Sequence, residues 1–286
     1  RDRFGCKVYK IALNGGFTCP NRDGTIDTRG CIFCSGYGSG DFAGDASLSI
    51  TEQIENGKKL VAGKMPRGKT GRYIAYFQAF TNTYGPIGKM REMFREAIQH
   101  PEVVVLSIAT RPDCLQDNVL DLLEQLNAIK PVWVELGLQT IHEESAEYIR
   151  RGYPLSVYDE AVNKLKARNI EIITHVILGL PGETREQMLA TVKYACESGI
   201  QGIKLQLLHV IEGTDLADEY RNGAFECMSM DEYVSLVRDC INVIPRNVII
   251  HRMTGDGDKR TLIAPMWSTD KKKVLNALNK RLLCDM

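Results

Sequence analysis

The apolar positions of this chain fall into short β-rich runs separated by longer stretches with helical spacing. VYKIAL (8–13), RYIAYFQAF (72–80), VVVLSIATR (103–111), VWVELGLQT (132–140), IEIITHVILGL (170–180) and GIKLQLLHVI (202–211) read as strands. Several are apolar almost throughout, as in a parallel sheet covered on both faces. Between them, 49–65, 85–99, 117–130, 142–151, 157–169 and 184–199 carry apolar residues at helical intervals. Ser49 or Thr51, with Glu52 behind, predicts a capped start for the first helix. Six strand-then-helix units imply right-handed crossovers and a parallel sheet, open or curled into a whole or partial barrel.

The tail adds a helical pattern at 231–244, a strand-like VIIHRM (248–253) and a final helix at 271–283. There is no internal repeat and no linker. The expectation is one α/β domain, with a core barrel over 1–255 and a helical C-terminal extension over 256–286. In such barrels chemistry gathers in the loops at the C-terminal ends of the strands.

Composition changes this picture little. The 286 residues are 44% hydrophobic and 25% charged, with 36 basic and 36 acidic side chains. A zero net charge gives no global signal for a nucleic-acid partner but leaves room for a local basic patch. Lys58, Lys59, Lys64, Arg67, Lys69 and Arg72 form one basic stretch, and Lys271–Lys273 open the last helix; the bland reading of both is a solvated face. No apolar run reaches membrane-spanning length and no signal peptide opens the chain. The expected setting is therefore a reducing cytoplasm, which also suits cysteines scattered singly at 6, 114, 196, 227, 240 and 284.

Three further cysteines are grouped. TCPNRDGTIDTRGCIFCS (18–35) holds Cys19, Cys31 and Cys34 in the loop after the first strand, spaced C-x11-C-x2-C. Two readings fit that spacing. A zinc knuckle would take a fourth ligand from elsewhere. An iron–sulfur cluster held by three thiolates would keep one iron open for a substrate or cofactor.

Other segments resemble one family. CIFC (31–34), IATRPD (108–113), ELGLQT (135–140), RRGYP (150–154) and THVILGLPGET (174–184) follow one another on successive strands. In that order they resemble the radical SAM superfamily, in the branch of the Elongator catalytic subunit and the coproporphyrinogen-type enzymes. The stretch from Phe4 to Phe42 resembles the YtqA/YhcC-type subfamily. The resemblance covers about 8 to 255 and implies a partial (β/α)6 TIM-like barrel of the radical SAM type with a C-terminal α/β extension.

It also implies roles. Cys19, Cys31 and Cys34 would ligate a [4Fe–4S] cluster whose open iron binds S-adenosylmethionine (SAM), and Phe33 is the aromatic that this branch places before the last cysteine. Gln78 falls where the superfamily often has a Gly-Gly-Glu segment that touches the SAM amino group. Ala109 stands where the Elongator-type sequences carry a Glu, and Glu135 would take over the SAM contact of that Glu. Gln139 would reach the ribose or methionine end, and Arg151 would pair with the SAM carboxylate. His175 falls at a ribose-binding position, and Leu208, with His209 and Val210, at an adenine-stacking one. His209 and His251 are otherwise read as structural.

The C-x11-C spacing departs from the usual C-x3-C, but PNRDGTIDTRG is turn-prone and can loop out at small entropic cost. The implied activity is reductive cleavage of SAM to a 5′-deoxyadenosyl radical, with an electron from a donor such as flavodoxin or ferredoxin. The leading substrate is the C5 side chain of a tRNA wobble uridine, with Tyr37, Tyr76, Tyr84 and Tyr153 near the expected mouth. A small-molecule substrate is the rival within the class, and a non-catalytic zinc module for RNA or protein the rival outside it.

Overall fold

The computed structural model describes residues 3–38, 40, 42–64, 71–255 and 257–283. Arg67, Lys69 and Cys284 lie outside them. Six βα units run in order: β1 (Val8–Leu13), α1 (Ile50–Ala62), β2 (Arg72–Phe77), α2 (Ile87–Gln99), β3 (Val103–Thr110), α3 (Asp117–Asn127), β4 (Val132–Gln139), α4 (Glu143–Tyr148), α5 (Leu155–Ala167), β5 (Glu171–Leu178), α6 (Arg185–Glu197) and β6 (Gly202–Leu207). Then come β7 (Val210–Ile211), α7 (Asp215–Arg221), α8 (Met230–Val243), β8 (Ile249–Arg252), β9 (Leu262–Ala264) and α9 (Lys271–Leu283).

Seven strands form one parallel sheet in the order β1-β2-β3-β4-β5-β6-β8. The sheet curls into a half-barrel with β1 and β8 as its edges. The strand-like VIIHRM thus supplies a seventh strand, with Gly202 registered against Ile249. A separate antiparallel pair, β7 with β9, sits beyond the end of β6.

Helices cover the outer face. Ile11, Leu13, Phe94, Leu106, Leu123, Leu165, Ile172, Val192 and Leu205 belong to one buried core. The strands' other face carries the barrel's polar side chains, as alternation along a strand requires. Ser49, Thr184 and Ser229 begin α1, α6 and α8, each with a reciprocal capping box to the Glu or Gln three residues on.

Two expected strands are shorter than their apolar runs. β2 ends at Phe77, and Gln78–Phe80 turn away, with Phe80 at φ 57°. The 202–211 run breaks after Leu207 and resumes as β7. Neither α7 nor β9 was evident from the pattern of apolar positions.

Candidate active site

The three cysteines follow β1 and lie at the C-terminal end of the sheet. Gly30 donates its N–H to Asn21 O (2.7 Å), so the eleven residues after Cys19 close on themselves and return Cys31 to the site. Cys34 N–H donates to Cys31 O (3.0 Å), making the CIFC turn, and Ile32 N–H donates to Ile149 O, tying that turn to the loop after α4. The Arg22 guanidinium donates to Cys34 O (2.6 Å) and Ser35 O (2.8 Å), clamping the loop. Asn21 Nδ2 donates to Arg150 O (2.7 Å) and to the Cys31 sulfur (3.5 Å).

All three thiols are free of disulfides and line one cavity of about 930 Å³. Burial, then the neighbouring Cys34, pushes the Cys31 thiol up to about 12, so it keeps its proton until a cation displaces it. The three sulfurs are not gathered within 4.8 Å of one another. The amide donor aimed at one sulfur fits an iron–sulfur cluster.

Phe33, Gln78, Glu135, Gln139, Arg151, His175 and Leu208 all line the same cavity. Gln139 ends β4 at φ 63°, beside a register shift between Gly137 and Gln139, and its Oε1 accepts from Tyr153 OH (3.2 Å). Such a strained backbone aims a side chain off the strand axis and collects at functional sites. Leu208 is buried among Ile32, Ile149 and Val210, with Phe33 packed against that group.

Arg151 is engaged differently from the expected carboxylate pairing. It is 2% exposed, and its donors go to Tyr153 O, Leu138 O, Thr140 O and the Glu143 carboxylate. As placed, the fork has no donor left for an outside carboxylate; it buttresses the loop after β4. Arg111, from IATRPD, is the cation whose charge acts on Cys31, and its donors hold Asp113.

Glu135 and His175 belong to a polar floor of which only these two members stood out in the sequence. The Glu135 carboxylate is fully buried and accepts from Lys10 Nζ (2.6 Å), Ser107 Oγ (2.7 Å), His175 Nε2 (2.8 Å) and Lys204 Nζ. Burial alone would raise its pKa, but Lys204, Lys10 and His175 outweigh that and hold it well below the usual carboxylate range. Gln206 Nε2 donates to His175 Nδ1 (3.1 Å), so Nε2 carries the proton. Burial, then Lys204, lowers His175 to about 4 and leaves it neutral near pH 7. Burial draws Lys204 down to about 7 against the pull of Glu135. As placed, both Glu135 oxygens and both His175 nitrogens have protein partners.

Lys10 and Lys204 were missed because each reads as one polar interruption of a strand; the signal was their inward alternation with Ile11 and Leu205. Tyr76 and Tyr153, expected at the mouth, are buried at 5% and 8% exposure, while Tyr37 is 70% exposed.

A parallel half-barrel with three cysteines in its first βα loop defines a class. The radical SAM superfamily profile matches residues 24–195 and its C-terminal domain profile residues 200–283. The chain belongs to the radical SAM superfamily and is an enzyme of that class. YtqA of Bacillus subtilis is 49% identical over 282 residues, covering 99% of this chain and 87% of the relative. The tRNA uridine(34) acetyltransferase of Methanocaldococcus jannaschii is 27% identical over 168 residues, covering 58% of this chain and 30% of the relative. The structure of Elp3 from Methanocaldococcus infernus, lacking its N-terminus, superposes with a TM-score of 0.68 at 18% identity, over 93% of this chain and 63% of that one. Membership implies SAM and an iron–sulfur cluster as cofactors. Among the described residues no helix is long and apolar enough to cross a membrane.

Proposed function

We propose that Cys19, Cys31 and Cys34 hold a [4Fe–4S] cluster with one open iron, and that the enzyme modifies the C5 side chain of a tRNA wobble uridine. The observation that carries the first part is convergence: three cysteines outside any disulfide and every candidate SAM contact line one cavity at the C-terminal end of a parallel half-barrel. When bound, the cluster supplies one electron, from a donor such as flavodoxin or ferredoxin, to cleave SAM to a 5′-deoxyadenosyl radical.

The chain's own residues do the positioning. Arg22 and Asn21 fix the cysteine loop. Gln78 and Gln139 offer amides to SAM from the ends of β2 and β4, and Leu208 an apolar contact. The loop after β4 is held rigid by Arg151. Lys204, Lys10 and Glu135 form the polar floor beneath. The substrate reading is supported by the relative that acts on tRNA uridine(34).

The test is anaerobic. Protein reconstituted with iron and sulfide should form 5′-deoxyadenosine from SAM and dithionite, and C31A/C34A should not. Stoichiometric zinc and no SAM cleavage would overturn the cluster. The substrate is tested by adding tRNA and digesting it to nucleosides; an unchanged wobble uridine in an otherwise active reaction turns the reading to a small molecule.

A further inference from the structure

Among the described residues, the cavity lining holds nine lysines and arginines and two acidic residues, Asp45 and Glu135. The whole chain has 36 of each sign. The neutral total therefore conceals a concentration of positive charge at the site, and a charged cleft with low-dielectric walls focuses its field on what enters.

Some of these cations serve the interior. Arg22, Arg111 and Arg151 hold loop carbonyls, Asp113 and Glu143 near the cysteines, and Lys10 and Lys204 share Glu135 on the floor. Lys64, Lys259 and Lys271 lie at the outer rim, and all three are exposed. They come from three distant segments: the end of α1, the loop after β8 and the start of α9. The first flanks edge strand β1 and the second follows edge strand β8, so they stand on opposite lips of the half-barrel's open side.

On the same rim Phe42 and Leu60 are 59% and 83% exposed.

We infer that these two lips are an RNA docking surface: Lys64, Lys259 and Lys271 contact phosphates of an unpaired loop while one nucleotide passes between them, against Phe42 and Leu60, into the cavity. The inference rests on the tRNA reading above and adds the surface that reading needs. Single-stranded RNA suits the geometry. A base must leave its helix to enter a cavity, and splayed bases lie against apolar and aromatic side chains while the backbone follows a basic groove.

The test measures binding of a commercial unfractionated tRNA to the full chain by fluorescence anisotropy across a salt series. A rim variant, K64A/K259A/K271A, is compared with a variant of equal charge loss elsewhere, R95A/K164A/K193A, both checked for parental thermal unfolding. Each phosphate contact contributes about 0.7 to the log–log salt slope for single strands. The rim variant should therefore show a slope shallower by about 2 and at least about tenfold weaker binding at low salt, with the control near the parent. Equal slopes in all three proteins, or equal weakening in both variants, overturn the docking surface and leave tRNA standing as substrate. No binding by the parent at low salt ends the tRNA reading with it.

Discussion

Glu135 on β4 and Lys204 on β6 meet inside the half-barrel, across β5, as a buried ion pair that Lys10 completes from edge strand β1. Lys10 and Glu135 lie three strands apart in the sheet, so only its curl brings them within 2.6 Å. Desolvating charges is costly, and removing one partner leaves the others buried without compensation. E135Q should therefore destabilise the protein by about 3–5 kcal/mol. E135Q/K204M should be less destabilised than the sum of its single variants, with a coupling above about 1 kcal/mol. Urea unfolding of the four proteins measures both. An E135Q within about 1 kcal/mol of the parent would show that the pair does not hold the curl.

This pair marks the limit of what the sequence could show. The six βα units were legible because each strand is a nearly unbroken apolar run and each helix a 3.6-residue pattern. The cysteine loop was legible because spacing is a one-dimensional property. The seventh strand read only as strand-like, since VIIHRM says nothing about which edge it joins. Arg151 looked like a free guanidinium until its acceptors appeared, and besides the Glu143 carboxylate those are three backbone carbonyls, which leave no trace in side-chain identity. Lys64 and Lys271 were seen in two separate basic stretches and Lys259 in neither; that all three line one cavity depends on a fold linking residues about 200 positions apart.

His175 and His251 set an acid limit. Burial lowers both to about 4, against about 6.5 in the unfolded chain. Below pH 6.5 the unfolded state takes up protons that the folded state refuses, so stability falls as pH drops and the loss levels off near 4. For His175 the full loss is about 3 kcal/mol. Glu135 acts in a separate window, its contribution being lost only below 4.5. H175Q can still donate to Glu135 and accept from Gln206, and it should flatten the fall in Tm between pH 6.5 and 4. Calorimetry across that range decides it, and a slope equal to the parent's would refute the assignment.

Gly30 and Arg22 fix the cysteine loop together. Gly30 sits at φ 78°, and a Cβ there would lie 2.8 Å from Arg22 Nε. G30A combines left-handed strain of about 1–2 kcal/mol with displacement of the guanidinium that holds Cys34 O and Ser35 O. The expected result is at most about half the parental iron per chain after reconstitution, with thermal unfolding of the metal-free protein lowered by only a few degrees. R22K keeps the charge but loses the fork and should show a milder form of the same defect. Full iron in G30A would remove the clamp from the account.

Asn21 offers the most direct reading of the cluster's surroundings. It is 1% exposed, and its Nδ2 lies 3.5 Å from the Cys31 sulfur and 2.7 Å from Arg150 O. A donor aimed at a thiolate stabilises the more electron-rich, reduced cluster and so raises its potential. A neutral hydrogen bond is worth about 1 kcal/mol net, about 40 mV for a one-electron couple. N21L removes the donor at similar volume and should lower the midpoint potential by tens of millivolts, on the scale of about 40 mV. The measurement is a redox titration followed by electron paramagnetic resonance, on protein whose iron content matches the parent's. A variant that merely loosened the loop would lose iron at an unchanged potential. Full iron with an unchanged potential would mean that the amide serves Arg150 alone and that Cys31 is tuned by Arg111 instead.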